Sequence, residues 1–198
     1  MTCVQGKNTP GRMKPIRLIF LLLILLLSAT LLLSCGNVPL TAEEENLVGK
    51  WAYSHDPKKA ELTIRRDGKA VYGKKAYRFS IDSERITLTD AAGAELSLRY
   101  QLNEDGMLLY RQAVYIREEE QDGITGLWSC PAENWSYQFT PQGTFLEDGV
   151  FPGYYSVDEE ASTFKLMYSS HFEDTVCYYQ LDGNSLLVEY PWQMVKIK

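Results

Sequence analysis

The chain has 198 residues, of which 45% are hydrophobic, and a formal net charge of −6 at neutral pH. This apolar content is typical of a globular protein, and the length suits one or two domains. Beyond residue 34 the chain carries 16 basic and 26 acidic side chains, a balance of −10. This balance argues against a nucleic-acid partner, because proteins neutralise phosphates with Lys and Arg.

The first segment has the pattern of a secretory signal. Residues 18–33 form an apolar run, preceded by several basic residues and no acid. A basic segment, an apolar core and a small residue in this order predict a cleaved signal helix over residues 1–34. The run is shorter than the ~20 residues that a membrane-spanning helix needs. Because the segment from Met13 is itself a complete short signal, we expect translation to begin at Met13.

The run ends in Leu32-Leu33-Ser34-Cys35-Gly36. This motif resembles a lipobox, the processing motif of bacterial lipoproteins. The resemblance implies cleavage after Ser34 and a diacylglycerol thioether on Cys35, with fatty acids such as palmitate as the membrane anchor. Acyl chains contribute ~0.8 kcal/mol per buried CH₂, so two or three of them hold a protein on a bilayer. The protein is therefore expected at the cell membrane, lipid-anchored and facing outside the cytoplasm; the alternative is an uncleaved signal-anchor helix with Cys35 unmodified.

Residues 35–46 are predicted to be a lipidated, acidic tether. The sequence that follows the tether contains two similar copies. Three pairs of segments match at nearly the same spacing along the chain: Leu47–Trp51 with Ile124–Trp128, Tyr100–Leu102 with Tyr179–Leu181, and Val114–Arg117 with Val195–Lys198. Self-similarity at one spacing indicates tandem copies of one structural unit. We therefore predict one module over residues 47–118, a polar linker over 119–123 and a second module over 124–198.

Each copy alternates apolar and polar residues with the period of half-buried strands, as in Leu62-Thr63-Ile64 and Tyr77–Asp82. The breaks carry turn dipeptides such as Asp67-Gly68 and Asp182-Gly183, which favour tight hairpins. The fold class is therefore all-β, with two tandem antiparallel meander modules of about eight strands each. Each module closes as a small barrel or sandwich, because open edges invite aggregation. A single barrel built from both copies is the alternative.

The Gly-x-Trp entry, the Asp-Gly turn and the closing aliphatic strand resemble the small lipocalin-like modules of bacterial lipoproteins. The resemblance implies that Trp51 and Trp128 close the cores and pack rather than bind. Residues 47–117 have a charge balance of +4 and residues 126–198 one of −7. Opposite charges favour contact between the two modules.

No pattern of catalytic residues is recognisable. The two histidines, His55 and His171, lie in unrelated polar segments, and no zinc, calcium or phosphate-loop spacing occurs. We therefore expect no enzymatic activity, no metal and no cofactor.

Cys130 and Cys177 occur only in the second module and share the inward face of their strands. A disulfide between them would stabilise an exported module by ~2–4 kcal/mol. Two buried free thiols are the alternative, because the two strands need not come within bonding distance.

The second module holds 15 aromatic residues against 8 in the first. Among those that lie where the alternation fails are Trp135, Tyr154, Phe172 and Trp192. With carboxylates such as Glu147 and Asp148 nearby, they form a candidate surface for sugar rings or a cationic group. The alternative is that they cover the barrel ends and the contact between modules.

The function predicted from these features is a non-catalytic binding or interaction lipoprotein. Its expected partners are membrane lipid through Cys35 and an envelope protein or glycan, and the sequence indicates no oligomeric state. The alternative is a lipocalin-type carrier with a small apolar ligand in a barrel cavity.

Overall fold

The computed structural model describes residues 40–119, 121–170 and 172–197. The predicted signal peptide with Met13, the lipidation site Cys35 and residue His171 lie outside the described residues. The predicted all-β, antiparallel meander is confirmed for the described chain, which contains fourteen strands and one short helix. Its helix is α1 (Ala42–Leu47). The strands of the first half are β1 (Gly49–Tyr53), β2 (Leu62–Ile64), β3 (Lys69–Tyr72), β4 (Lys75–Ile81), β5 (Arg85–Thr89), β6 (Glu95–Asn103) and β7 (Gly106–Arg117). Those of the second half are β8 (Gly126–Cys130), β9 (Trp135–Phe139), β10 (Thr144–Glu147), β11 (Phe151–Asp158), β12 (Thr163–Tyr168), β13 (Thr175–Asp182) and β14 (Ser185–Ile197).

Helix α1 occupies part of the segment predicted to be a tether. Thr41 and Glu44 form a capping box, in which the backbone N–H of Glu44 donates to Thr41 Oγ1 at 3.2 Å and the N–H of Thr41 donates to Glu44 Oε2 at 2.7 Å. Its three glutamates lie in the first turn, where the helix dipole favours negative charge. The Tyr100 hydroxyl donates to Glu43 at 2.6 Å. The folded chain thus begins before residue 47. Among the described residues, no helix is long and apolar enough to cross a membrane.

The fourteen strands form one closed antiparallel sheet with an additional pairing between β7 and β14. These two strands have 12 and 13 residues and pair over Met107–Ile116 and Ser185–Met194. At about 3.3 Å per residue each is roughly 40 Å long. Their pairing divides the closed sheet into two rings of eight strands, because β7 and β14 belong to both. Each half therefore contributes seven strands, rather than the eight or so expected from the sequence.

Each ring encloses its own hydrophobic core. One cluster of buried side chains includes Trp51, Leu88 and Met107 of the first half together with Met194 of β14. The other belongs to the second half, with Trp128, Phe139 and Phe164, and it includes Tyr115 of β7. The long strands thus contribute to one core near one end and to the other core near the other end. The module boundaries at residues 118 and 124 stay predictions.

The same contacts recur at the entry to both halves. Trp51 Nε1 donates to the Leu47 carbonyl at 2.8 Å, and Trp128 Nε1 donates to the Ile124 carbonyl at 2.7 Å. Both tryptophans are buried in the cores, as predicted.

A basic residue lies on each of these two indoles. Lys196 Nζ is 5.1 Å from the Trp51 ring and Arg117 Cζ is 4.3 Å from the Trp128 ring. Trp51 is paired with Lys196 and Trp128 with Arg117. Arg117 therefore corresponds to Lys196. The sequence alignment, which matched Arg117 with Lys198, is out of register by two.

Candidate binding site

An open cavity of about 190 Å³ is lined by residues of β7, β9 and β14 and by the end of β10. Because side chains alternate along a strand, Val188, Tyr190 and Trp192 share one face of β14. For the same reason, Trp135 and Tyr137 share one face of β9. We call this cavity the aromatic mouth. Its lining consists of small and aromatic side chains and two carboxylates, namely Ala113, Tyr115, Trp135, Tyr137, Glu147, Asp148, Val188, Tyr190 and Trp192.

Glu147, the last residue of β10, brings a carboxylate into the aromatic mouth. The Tyr137 hydroxyl donates to its Oε1 at 3.0 Å, and the Tyr168 hydroxyl donates to its Oε2 at 2.6 Å. Burial raises the pKa of Glu147, and although the bonds from Tyr168 and Tyr137 lower it, the pKa stays above its ordinary value. Burial and the neighbouring Glu147 also raise the pKa of Tyr137 well above its usual range. Burial and the hydrogen bond to Glu147 also raise the pKa of Tyr168, so both tyrosines remain protonated donors at neutral pH.

Asp148 holds the second carboxylate in the turn after β10. Its backbone has φ +50°, a conformation that Asp tolerates better than most residues. Its Oδ1 accepts from the Ser136 N–H at 2.7 Å, and its own N–H donates to the Ser136 carbonyl at 2.9 Å. Among the described residues, no lysine or arginine forms an ion pair with Glu147 or Asp148.

Trp135 and Trp192 share one cationic neighbour. The Arg111 guanidinium carbon lies 5.8 Å from the Trp135 ring centroid and 5.7 Å from that of Trp192. The Arg111 charge is balanced by Glu133, at 3.4 Å. Trp192 also contacts Tyr53 of the first half, with ring centroids 5.6 Å apart. Its Nε1 is buried and has no hydrogen-bond partner among the described residues.

The structure brings together three of the four aromatic residues predicted as a ligand surface. Trp135 and Trp192 line the aromatic mouth. Phe172 is 47% exposed and lies in an adjoining groove of about 420 Å³, which also contains Glu147, Asp148 and Glu173. Tyr154 is 60% exposed on β11 and lines neither cavity. Tyr154 is therefore not part of this site.

A buried carboxylate that the sequence did not reveal lies between the halves. Glu189 of β14 is 4% exposed. Arg85 donates to it at 2.9 and 3.1 Å, Arg99 at 3.1 Å and Gln112 at 2.9 Å. A single acid in the apolar segment Leu186–Tyr190 was the signal that could have identified it. Arg85, Arg99 and Gln112 come from the first half, whereas Glu189 comes from the second. We call these four residues, which connect the two halves, the waist network.

Cys130 and Cys177 are both buried in the second core, where they are free thiols. The disulfide is therefore not formed in the structure. The two cysteines are instead buried free thiols, the alternative considered from the sequence. Burial raises the pKa of the Cys177 thiol well above its ordinary value. Since the thiolate is the reactive form, Cys177 is expected to be inert in the folded protein.

The aromatic mouth offers ring faces, two carboxylates and a buried indole N–H. Within the described part of the chain, no group of three or more His, Cys, Asp or Glu residues is placed to hold a metal ion. Comparison with known protein families, with curated proteins and with solved structures found no match to this chain. Function is therefore inferred from the chain's own residues.

Proposed function

We propose that this chain is a lipid-anchored, non-catalytic binding protein that faces outside the cytoplasm and takes its ligand at the aromatic mouth. The observation that carries the proposal is the convergence of Trp135 and Trp192 with Glu147 and Asp148 around one cavity. Cavities with aromatic walls and a few polar groups are the usual form of ligand sites. The partners are membrane lipid through Cys35 and an envelope protein or glycan at the mouth.

The anchor is supported by the sequence before the described residues. A basic segment, the apolar run over residues 18–33 and the lipobox-like Leu32–Gly36 stand in the order of a lipoprotein signal. A lipid on Cys35 would leave only a few residues between the membrane and α1, whose first residue is Ala42.

A binding protein is better supported than a lipocalin-type carrier. Each ring has a cluster of contacting buried side chains in its interior, as expected when a barrel of about eight strands is filled by side chains. The aromatic mouth, at about 190 Å³, is smaller than the roughly 300–1,000 Å³ clefts that take drug-sized ligands. A small group, such as one sugar ring or the end of a side chain, fits it better than a bulky apolar molecule.

The anchor is tested by expressing the full chain in bacteria supplied with a labelled palmitate analogue. We expect label on the wild type and on Cys3→Ser, because Cys3 lies in the discarded leader, and none on Cys35→Ser. Intact mass should begin at Cys35 and include the lipid. A protein that retains residues 1–34 and bears no lipid would refute the anchor.

The mouth is tested with the same protein extracted in a non-ionic detergent and incubated with cell-wall glycan and envelope-protein fractions. We expect one fraction to be retained by the wild type and lost with Trp135→Ala and Trp192→Ala. Tyr154→Ala is the matched control, because Tyr154 is an exposed aromatic residue outside the mouth. Equal retention by all four proteins would refute the mouth as the binding site.

A further inference from the structure

We propose that the group bound in the aromatic mouth is an organic ammonium ion, carried as a trimethylammonium or a primary ammonium. This inference rests on the proposed function, because it names the chemistry of the ligand taken at the same site. The inference depends on aromatic rings and carboxylates together. Trp135 and Trp192 line the same cavity as Glu147 and Asp148.

The carboxylates supply uncompensated negative charge. Glu147 accepts one tyrosine hydroxyl on each of its two oxygens, an arrangement that satisfies an ionised carboxylate. Asp148 accepts a backbone N–H on one oxygen. Neither acid has an ion-paired lysine or arginine among the described residues. Residues 126–198 carry 3 basic and 10 acidic side chains, which further favours a cation.

The rings supply the second attraction. A cation within about 6 Å of an aromatic centroid is attracted by the ring quadrupole, most strongly by Trp. The two mouth tryptophans already have such a cation within this range, Arg111, at 5.8 and 5.7 Å. Arg111 does not line the cavity, and Glu133 balances its charge at 3.4 Å. The cavity interior therefore keeps its acidic character.

The balance of hydrogen-bonding groups distinguishes an ammonium from a neutral sugar. A sugar hydroxyl both donates and accepts, so a neutral sugar needs donors and acceptors around it. The mouth has acceptors on Glu147 and Asp148, but the Tyr137 hydroxyl already donates to Glu147. Among the described residues, Trp192 Nε1 is a buried donor of the mouth that has no hydrogen-bond partner. An ammonium ion needs acceptors and ring faces, and this cavity offers both.

The test is a calorimetric titration of the full-length protein in non-ionic detergent with two matched pairs of probes. Choline is compared with 3,3-dimethyl-1-butanol, which has the same shape without the charge, and glucosamine is compared with glucose. We expect the charged member of at least one pair to bind about tenfold more tightly than its neutral partner. Binding of choline assigns a trimethylammonium source, and binding of glucosamine assigns a primary amine.

Two variants test the residues. Glu147→Gln and Asp148→Asn should each weaken binding of the charged probe about fivefold or more. Asp148→Asn serves as the second variant in case Glu147→Gln disturbs the fold, because the Asn oxygen can still accept from the Ser136 N–H. Glu160→Gln, an exposed acid outside the mouth, should leave binding unchanged. Equal binding within both pairs, no binding of any probe, or no effect of both mouth variants would overturn the ammonium assignment. If Trp192→Ala still abolished retention of the envelope fraction, the mouth would remain the binding site of the proposed function and the ligand class alone would be wrong.

Discussion

Replacement of Glu189 by Gln should be among the most damaging conservative changes in this protein. The side chain of Glu189 is 6% exposed and accepts hydrogen bonds from Arg85, Arg99 and Gln112. Glu189→Gln preserves the shape but removes the charge, and it leaves two guanidinium groups facing a neutral amide. Removing one partner of a buried ion pair costs about 3–5 kcal/mol.

The geometry places the cost at the lower end of that range. The side chains of Arg85 and Arg99 remain 30% and 18% exposed, so water can partly replace the lost carboxylate. Arg99 also keeps Glu84, at 2.5 Å. We therefore expect a loss of about 3 kcal/mol in the free energy of unfolding, which lowers Tm by roughly 6–12 °C for a chain of this size.

The assay is thermal denaturation at pH 7, followed by circular dichroism on the detergent-extracted protein. Glu84→Gln is the matched control, because Glu84 also pairs with Arg99 but its side chain is 65% exposed, and such surface pairs contribute only about 0–1 kcal/mol. Should Glu189→Gln destabilise the protein no more than Glu84→Gln, the waist network would not be a buried ionic contact.

A pH series adds an independent check. Burial raises the pKa of Glu189, but the hydrogen bonds from Gln112, Arg99 and Arg85 outweigh it, so its pKa lies below the ordinary value. A carboxyl with a lowered folded pKa stabilises the protein above its unfolded pKa of about 4.3 and loses this contribution as the pH falls further. The stability difference between wild type and Glu189→Gln should therefore be full at pH 7 and shrink below about pH 4. A difference that grows on acidification would contradict the reasoning.

Three further predictions concern the cores and the long strands. Trp128→Phe loses the 2.7 Å bond to the Ile124 carbonyl and should lower the free energy of unfolding by about 2 kcal/mol in a denaturant titration. Gly106→Ala should cost at least about 2 kcal/mol, because φ is +138° and the new Cβ would clash with the Met194 carbonyl oxygen. Gly93→Ala, where nothing lies within 4 Å, should cost less, and equal losses would contradict the close approach of the strands. Cys130 and Cys177 should resist iodoacetamide in the native protein and both react after unfolding without reductant; failure to react in denaturant would reveal a disulfide instead.

The sequence predicted much of the fold because its signals are local. Alternation in segments such as Tyr77–Asp82 and the Asp-Gly turns predict antiparallel hairpins, since each depends on neighbouring residues only. Trp51 and Trp128 were correctly expected in the cores. The sequence analysis did not identify the short helix after Thr41, which a capping box with Glu44 nucleates. The last strands were also aligned two positions out of register, because short aliphatic matches do not specify register.

The candidate site was only partly predictable. Trp135 and Trp192 were singled out because they interrupt the alternation, and both line the mouth. Tyr154 interrupts it too, yet it faces solvent. The waist residue Glu189 was missed, because its partners Arg85 and Arg99 are 104 and 90 residues away in the chain.

What the sequence by itself determined is the class of structure: strands of period two, hairpin turns, two similar halves and a buried tryptophan at the start of each. What only the tertiary structure decided is that β7 and β14 run through both rings and pair with each other over Met107–Ile116 and Ser185–Met194. That pairing places the aromatic mouth in the second ring beside Tyr53 of the first half, and it carries Glu189 to Arg85 and Arg99. The reason is physical: alternation and turns are set by residues a few positions apart, whereas strand register and closure depend on contacts between segments far apart in the chain.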